Sequence, residues 1–466
     1  MISSKGRLNG LFDVVVIGSG PAGVSAAHPL VKAGLNVAMV DAGLDSKKKA
    51  KLSKDYNISK QYTSPAYDLI KKSSYVFNKT YQLLEIQSQL EIIQSLAKGG
   101  LSELWSGICD YYSAEELKTI GLPVGEIQRE YREVTSRIKY KTRTNLDFHS
   151  KLILEHSKNS VYQPLVITYN SKSGVDDLMQ YKNFTYIPNQ LVSIINDKKI
   201  NVEVQSFDID TNQPFVVLAQ FVVLAAGSIN TTRILQRSLA LFDYKTTFLT
   251  KAHYLTACLH ARTLIKRFKQ NVLHKGQVVM SSQKHYKGLE TFFIQFYRYN
   301  PQMVHKALAY IPLPRSIAQP LLTTIVHSVV VADIRFPAFE FTKKFSMLKK
   351  NGGNKNDLLK ISFEESKKEI KSHQDEYKNI KQQLQSLGLF PLKTVPSYAT
   401  AHYAGGVPFQ SKTRKLSVDI NGRLHQGKRI YVADSSTWRA LPAKPPTFTI
   451  MANASRIGKQ VMRNFH

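Results

Sequence analysis

The stretch Asp13-Val-Val-Val-Ile-Gly18-Ser-Gly20-Pro-Ala-Gly23, leading on to Val37-Ala-Met-Val-Asp41, decides the fold. An apolar strand, a glycine turn, an alanine-rich helix (Ala22, Ala26, Ala27, Ala33) and a second strand ending in an acid open a Rossmann-type dinucleotide fold. Gly18 permits the tight turn, Gly20 lets the backbone approach a pyrophosphate, and Gly23 lets the helix lie close on the strand. The helix N-terminus then offers unpaired N–H groups and a positive dipole end to phosphates. Asp41 follows Gly18 by 23 positions, near the roughly 20-residue spacing at which an acid reaches a ribose 2′-hydroxyl. An acid there disfavours a 2′-phosphate, so FAD or NAD is expected over NADP. Pro29 falls inside the expected helix and should kink or shorten it, and His28 beside it reads as a packing residue.

Length and composition bound what surrounds this motif. A chain of 466 residues can build two or more packed domains, and 43% hydrophobic with 21% charged residues describes a globular protein. Only Cys109 and Cys258 occur, so a disulfide scaffold and a cysteine metal site are unsupported and no metal is expected. The ten residues ahead of the first strand are too few and too polar for a secretory signal, so the expectation is a cytoplasmic protein. The net charge of +30, from 64 Lys plus Arg against 34 Asp plus Glu, favours anionic partners. No nucleic-acid-binding pattern accompanies it, so nucleic acid is not expected. The bland alternative is a lysine-rich solvated surface. The segment Gln302 to Thr324 is basic, apolar and broken by prolines, which suits either a pocket wall or peripheral contact with an anionic membrane at its inner face.

Further along, Asp45 to Lys60 reads as an exposed lysine-rich loop and Gln82 to Leu96 as a helix. Lys98-Gly99-Gly100-Leu-Ser102-Glu-Leu-Trp105-Ser106-Gly107 holds too many glycines and serines for regular structure and reads as a loop that approaches something closely. Helices are expected over Ser113 to Ile120 and Val124 to Ile138. Strands follow at Phe184 to Ile187, Leu191 to Ile195, Ile200 to Gln205, Phe215 to Leu218 and Phe221 to Ala225, and then a helix from Ile229 to Leu239. Residues 245 to 365 carry runs, such as Gly288 to Arg298 and Ile325 to Phe336, that suit a large antiparallel sheet. A loop from Lys349 to Asn356, a polar helix from Glu364 to Leu387, a strand ending in Asp434, a proline turn from Pro442 to Pro446 and a helix from Thr447 to Val461 complete the chain. The expected class is therefore α/β, α+β overall. A discontinuous Rossmann-like domain (1–45, 95–110, 180–240 and 395–466) would be joined by a substrate-binding and cap region (46–94, 111–179 and 241–394) with a mainly antiparallel sheet.

Four separated pieces, in order, resemble the GMC (glucose-methanol-choline) oxidoreductases, FAD-dependent enzymes that oxidise alcohols and sugars. They are Gly18-x-Gly20-x-x-Gly23 with Asp41, Gly99-Gly100-x-Ser102-x-x-Trp105-x-Gly107, Val223-Leu-Ala-Ala-Gly227, and a C-terminal block. The block runs from Ala401-His402-Tyr-Ala-Gly405-Gly406 through Tyr431-Val-Ala-Asp434 to Pro446-Thr-Phe-Thr-Ile-Met-Ala-Asn-Ala-Ser-Arg456. The resemblance implies that Gly18, Ser19, Gly20, Pro21, Ala22 and Gly23 meet the FAD pyrophosphate and that Asp41 meets the adenosine ribose. It places Gly100, Ser102, Trp105, Ser106 and Gly107 facing the flavin, and Val192, Ala226 and Gly227 at the adenosine edge. Asp434 would lie on the ribityl and pyrophosphate, and the backbone of Pro446, Thr447 and Phe448 would cap the ring. Leu104 occupies the place of the family's linking histidine, so FAD is expected without a covalent bond.

The same resemblance makes His402 the general base for hydride transfer from a CH–OH group to flavin N5, with Gly406 where a threonine usually stands. An imidazole of ordinary pKa near 6.5 suits that task. The family's second catalytic residue falls on Pro445, which offers no side-chain hydrogen bond; Lys444, Tyr403 and His425 are the candidates to stand in for it. The expected substrate is a small alcohol or sugar-like molecule, and the basic surface favours an anionic or lipid-linked one. Two other readings keep the flavin: a reductive or redox-neutral step on a lipid-like substrate, and FAD binding without turnover.

Overall fold

The computed structural model describes residues 7–45, 74–105, 107–138, 140–141, 146–157, 160–167, 169–264, 276–298, 313–314, 316–318, 320, 325–350, 357–410 and 415–465. Ser106, most of the expected lysine-rich loop after Asp45, most of Gln302 to Thr324, and residues 351–356 lie outside the described residues.

The opening stretch builds the centre of a seven-stranded sheet. In spatial order its strands are Gln190–Asp197, Val202–Asp208, Pro214–Leu224, Arg7–Ile17, Val37–Val40 and Phe184–Ile187, with Ile430–Val432 added beside Pro214–Leu224. Arg7–Ile17 runs parallel to both neighbours, in a register that sets Val16 beside Val223 and Met39. Val14, Val15, Val16 and Ile17 are all buried, because helices or other segments cover a parallel sheet on both faces. The two strands expected at 215–218 and 221–225 are one strand: buried Ala219 continues the ladder, and the Gln220 amide donates to Asp13 Oδ1 at 3.1 Å.

The helix Pro21–Lys32 starts straight after Gly20 and runs through Pro29 to end at Lys32. Pro29 is tolerated close to the helix end, where its ring lies toward Gly458 of the terminal helix Thr447–Met462. A Cβ at Gly458 would come within 2.3 Å of the Ala26 carbonyl oxygen, so glycine is what lets the two helices meet. His28 is partly buried on this helix. Burial first, then Arg137 and Lys32, push its imidazole down to about 4. The folded state therefore refuses a proton that the unfolded chain accepts, and stability is lost as pH falls from 6.5 toward 4. The His28→Leu variant is expected to gain melting temperature relative to the parent as pH is lowered from 8 to 5. A difference that stays constant across that range, measured by thermal unfolding, would contradict this.

The second sheet has six antiparallel strands in the order Leu389–Pro396, His253–His260, Val329–Arg335, Phe293–Arg298, Val279–Ser281 and Val161–Tyr162. Side chains alternate across it. One face sends Cys258, Ile294, Phe296, Val330, Ala332 and Ile334 into a core closed by Ile380 and Leu384 of the helix Lys367–Ser386. That helix opens with a capping box between Ser366 and Glu369. The other face turns His253, Gln295, Tyr297, Asp333 and Arg335 toward the first sheet's ligand edge.

The helix expected over Gln82 to Leu96 is not formed. A helix ends at Leu83, and Ile86–Ser88 and Glu91–Ile92 are short strands pairing with Leu358–Ser362 and Ala399–Thr400. Their isoleucines gain more from sheet neighbours and burial than from continuing a solvated helix. Among the described residues no helix is long and apolar enough to cross a membrane.

Candidate functional site

A cavity of about 1030 Å³ lies between the two sheets, at the upper end of the roughly 300–1,000 Å³ common for ligand sites. It brings together three parts that are far apart in sequence: the glycine turn Gly18 to Ala22, the strand end Ala225 to Asn230, and the block around His402 with Pro445, Pro446 and Thr447. Asp41, Val192, Gly100, Ser102, Trp105, Ala226, Gly227 and Asp434 also line it.

At one end the first hydrogen bond of the helix Pro21–Lys32 runs from the Val24 N–H to the Gly20 carbonyl, so the Ala22 and Gly23 N–H groups lie in the unpaired first turn. Gly20 has no atom within 4 Å of where a Cβ would stand, which leaves its backbone open to the cavity. Gly23 instead packs on Gly18, outside the cavity wall. Ser19 Oγ donates to Asp41 and accepts from the Gly99 N–H at 2.9 Å, joining the turn, the acid and the glycine-serine loop. Ser102 Oγ donates to the Gly99 carbonyl at 2.7 Å and accepts from the Ser171 N–H, so it shapes the loop. Burial raises the Asp41 carboxyl despite hydrogen bonds from Ser19 and Tyr186.

Asp434 ties the ends of the neighbouring strands. One oxygen accepts from the Gly227 N–H at 2.9 Å and from the Thr231 hydroxyl, the other from the Ser436 N–H. At the far end the first hydrogen bond of the terminal helix runs from the Ile450 N–H to the Pro446 carbonyl. The N–H groups of Thr447, Phe448 and Thr449 thus have no partner within the helix, and its positive dipole end adjoins the cavity. The Phe448 ring points into the core, stacked on Tyr131 at 5.1 Å between centroids, and Gly107 is outside the cavity wall.

His402 lies on the cavity wall. Burial, then Lys251, Arg335 and His253, push its imidazole well below the ordinary 6.5, so it is neutral at neutral pH. The threonine of the resembled pattern is absent for a local reason: Gly406 has φ +111°, and a Cβ there would stand 2.0 Å from Thr232 Oγ1.

The three residues expected to assist His402 are committed elsewhere. Lys444 turns from the cavity to Glu290 at 2.6 Å and Glu116 at 3.4 Å. Burial alone would lower its ammonium, but Glu116, Glu290 and Asp110 outweigh that and hold it charged. The Tyr403 ring reaches the cavity, but its hydroxyl is bound to the Ile93 backbone and the Thr400 carbonyl. It therefore fixes the His402 segment to the strands beside it. His425 Nε2 contacts the Gln410 carbonyl at 3.1 Å, away from the cavity wall.

Beside His402 stand residues from the polar face of the antiparallel sheet: His253, Gln295, Tyr297, Asp333 and Arg335, with Lys251 just ahead of the first strand. Arg335 holds Asp333 through two contacts, at 3.2 and 2.8 Å, and His253 Nε2 lies 2.6 Å from Asp333 Oδ1. Lys251 Nζ donates to the carbonyls of Ala443 and Lys444 at 2.9 and 2.6 Å, tethering the turn before the terminal helix. The sequence signal for this wall is a polar residue at every second place, Gln295-x-Tyr297 and Asp333-x-Arg335, inside otherwise apolar strands.

Residues 12–168 match the pyridine nucleotide-disulphide oxidoreductase family. The fold is similar to that of pyridoxine 4-oxidase from Mesorbium loti, with a TM-score of 0.67 and 13% identity, over 98% of this chain and all of that one. No curated protein matches the chain in sequence. At 13% identity the structural likeness shows the fold, and the family match covers about the first third of the chain.

The residues present fit FAD on their own terms. An unobstructed glycine backbone and an open helix N-terminus lie at the Gly20 end, an acid lies at the end of the neighbouring strand, and a second helix N-terminus, at Thr447, also adjoins the cavity. Gly20, Ala22 and Asp41 would hold the nucleotide side. The backbone from Pro446 to Phe448 would meet the ring side, where donors and a positive dipole end favour the negative charge of a reduced ring.

Proposed function

We propose that the protein binds FAD without a covalent bond and oxidises a CH–OH group, as the GMC enzymes that its motifs resemble do. The observation that carries this reading is a neutral His402 on the wall of the same cavity as the glycine turn and the terminal helix. FAD, when bound, supplies the hydride acceptor. The chain's own part is to bind and orient the alcohol and to move its hydroxyl proton. His402, kept neutral by its surroundings, can hydrogen-bond the hydroxyl at neutral pH without first losing a proton. The walls exclude water from this end, since Lys251, Asp333 and Gln295 are all buried.

Anaerobic titration of the flavin-loaded protein with small primary and secondary alcohols, pyridoxine among them, tests the reading. Bleaching of the flavin by at least one of them is expected; bound flavin that no alcohol reduces would count against alcohol oxidation and favour binding without turnover. Acid precipitation is expected to release all of the yellow cofactor into the supernatant, and flavin retained in the pellet would show a covalent link.

A further inference from the structure

Two imidazoles face the ring end of the cavity, and they are not equivalent. Besides burial, Lys251, Arg335 and His253, which line the same cavity as His402, are the side chains that lower it, and no carboxylate offsets them. His253 stands on the antiparallel wall with its Nε2 at 2.6 Å from Asp333 Oδ1. The sheet register makes this pairing unavoidable: His253 lies opposite Arg335 and Leu255 opposite Asp333, so His253, Asp333 and Arg335 share one face of two adjacent strands. Arg335 grips Asp333 with two donors, and Tyr297 is hydrogen-bonded to Arg335 in turn. Burial alone would raise the Asp333 carboxyl, but Arg335 and His253 outweigh it and keep it ionised. An ionised carboxylate 2.6 Å from Nε2 favours the tautomer with hydrogen on Nε2, which leaves Nδ1 as a lone-pair acceptor.

We propose that His253, oriented by Asp333 and Arg335, is the group that accepts the substrate's hydroxyl proton, while His402 donates a hydrogen bond to the same oxygen. The assignment rests on the alcohol-oxidising reading and supplies the second group that Pro445 cannot. As the alcohol becomes a carbonyl, its hydroxyl proton goes to His253 Nδ1, its C–H hydride goes to FAD, and no further reactant is needed. The imidazolium formed on His253 is stabilised by the Asp333 carboxylate beside it, whereas one formed on His402 would face Lys251 and Arg335.

The test compares the parent with His253→Ala, His253→Gln and Asp333→Asn, each loaded with FAD. Flavin reduction by the alcohol that bleaches the parent is expected to slow about 10²- to 10⁴-fold in both His253 variants, with FAD still bound. Added imidazole should restore part of the rate to His253→Ala, an effect that a merely structural histidine would not show. A second readout needs no turnover: trifluoroethanol, which resists hydride loss, perturbs the flavin spectrum when it binds. Its affinity should fall about five- to tenfold in the His253 variants, the size of one lost hydrogen bond, and also in Asp333→Asn. Folded variants that reduce within threefold of the parent, or that bind trifluoroethanol unchanged, overturn the assignment. If no alcohol bleaches the parent, the alcohol-oxidising reading fails, and the trifluoroethanol comparison alone still decides whether His253 receives a hydroxyl.

Discussion

The His402→Ala variant is expected to lose alcohol-dependent flavin reduction by about 10²- to 10³-fold while keeping its flavin, the loss typical when a preorganised hydrogen-bond partner of the reacting oxygen is removed. The two halves of this expectation have separate structural causes. Flavin retention follows because the glycine turn, Asp41 and the terminal helix N-terminus are held by their own contacts and owe nothing to the His402 side chain. Loss of rate follows because His402 is a neutral imidazole on the wall of the cavity that the pre-helix turn also lines, so the substrate oxygen loses a partner that needs no deprotonation. Stopped-flow reduction at saturating alcohol reads the rate, and absorbance after gel filtration reads the flavin content. Bleaching at the parent rate would remove His402 from the chemistry. A variant that no longer holds flavin would show that the residue supports the cradle instead.

The Gly23→Ala variant is expected to cost on the order of 4 kcal/mol or more, enough to abolish flavin binding and leave little folded protein. A Cβ at Gly23 would stand 1.8 Å from the Gly18 carbonyl oxygen and 2.9 Å from its carbon, both backbone atoms that cannot swing aside. Relief would require opening the turn between Ile17 and Pro21, the one place where strand and helix must meet. Gly20→Ala is the matched control. No atom lies within 4 Å of its added methyl, and Gly20 has φ −66°, a value alanine adopts freely. The flavin-free protein should therefore keep its melting temperature, while FAD affinity drops because the methyl occupies the space of the pyrophosphate. Equal melting temperatures for Gly23→Ala and the parent would refute the packing argument. Unchanged FAD affinity in Gly20→Ala would refute the placement of the phosphates.

The nucleotide fold was legible because its signals are short-range: a buried valine run, a turn that needs glycine and a helix start all fall within Asp13 to Gly23. The mistaken assistants for His402 show where such reading stops. Tyr403 and Lys444 were attractive as sequence neighbours of His402 and Pro445. Yet adjacent residues in extended backbone point to opposite sides, so a neighbour of a cavity residue tends to face away from it. Tyr403 turns its hydroxyl to Ile93, and Lys444 turns to Glu116 and Glu290. The expected helix at Gln82 to Leu96 failed for a related reason: its isoleucines meet partners near residues 359 and 400 that no local pattern announces.

By itself the sequence determined the dinucleotide cradle, the acid on its second strand, the antiparallel character of the middle of the chain and the proline-led terminal helix. Each depends on residues close along the chain, where backbone sterics and side-chain periodicity act directly. Only the tertiary structure decided what faces His402. His253 and the Asp333–Arg335 pair come from two different strands far apart in sequence, and their meeting is set by strand register, in which a slip of either strand by one residue would turn its residues to the other face.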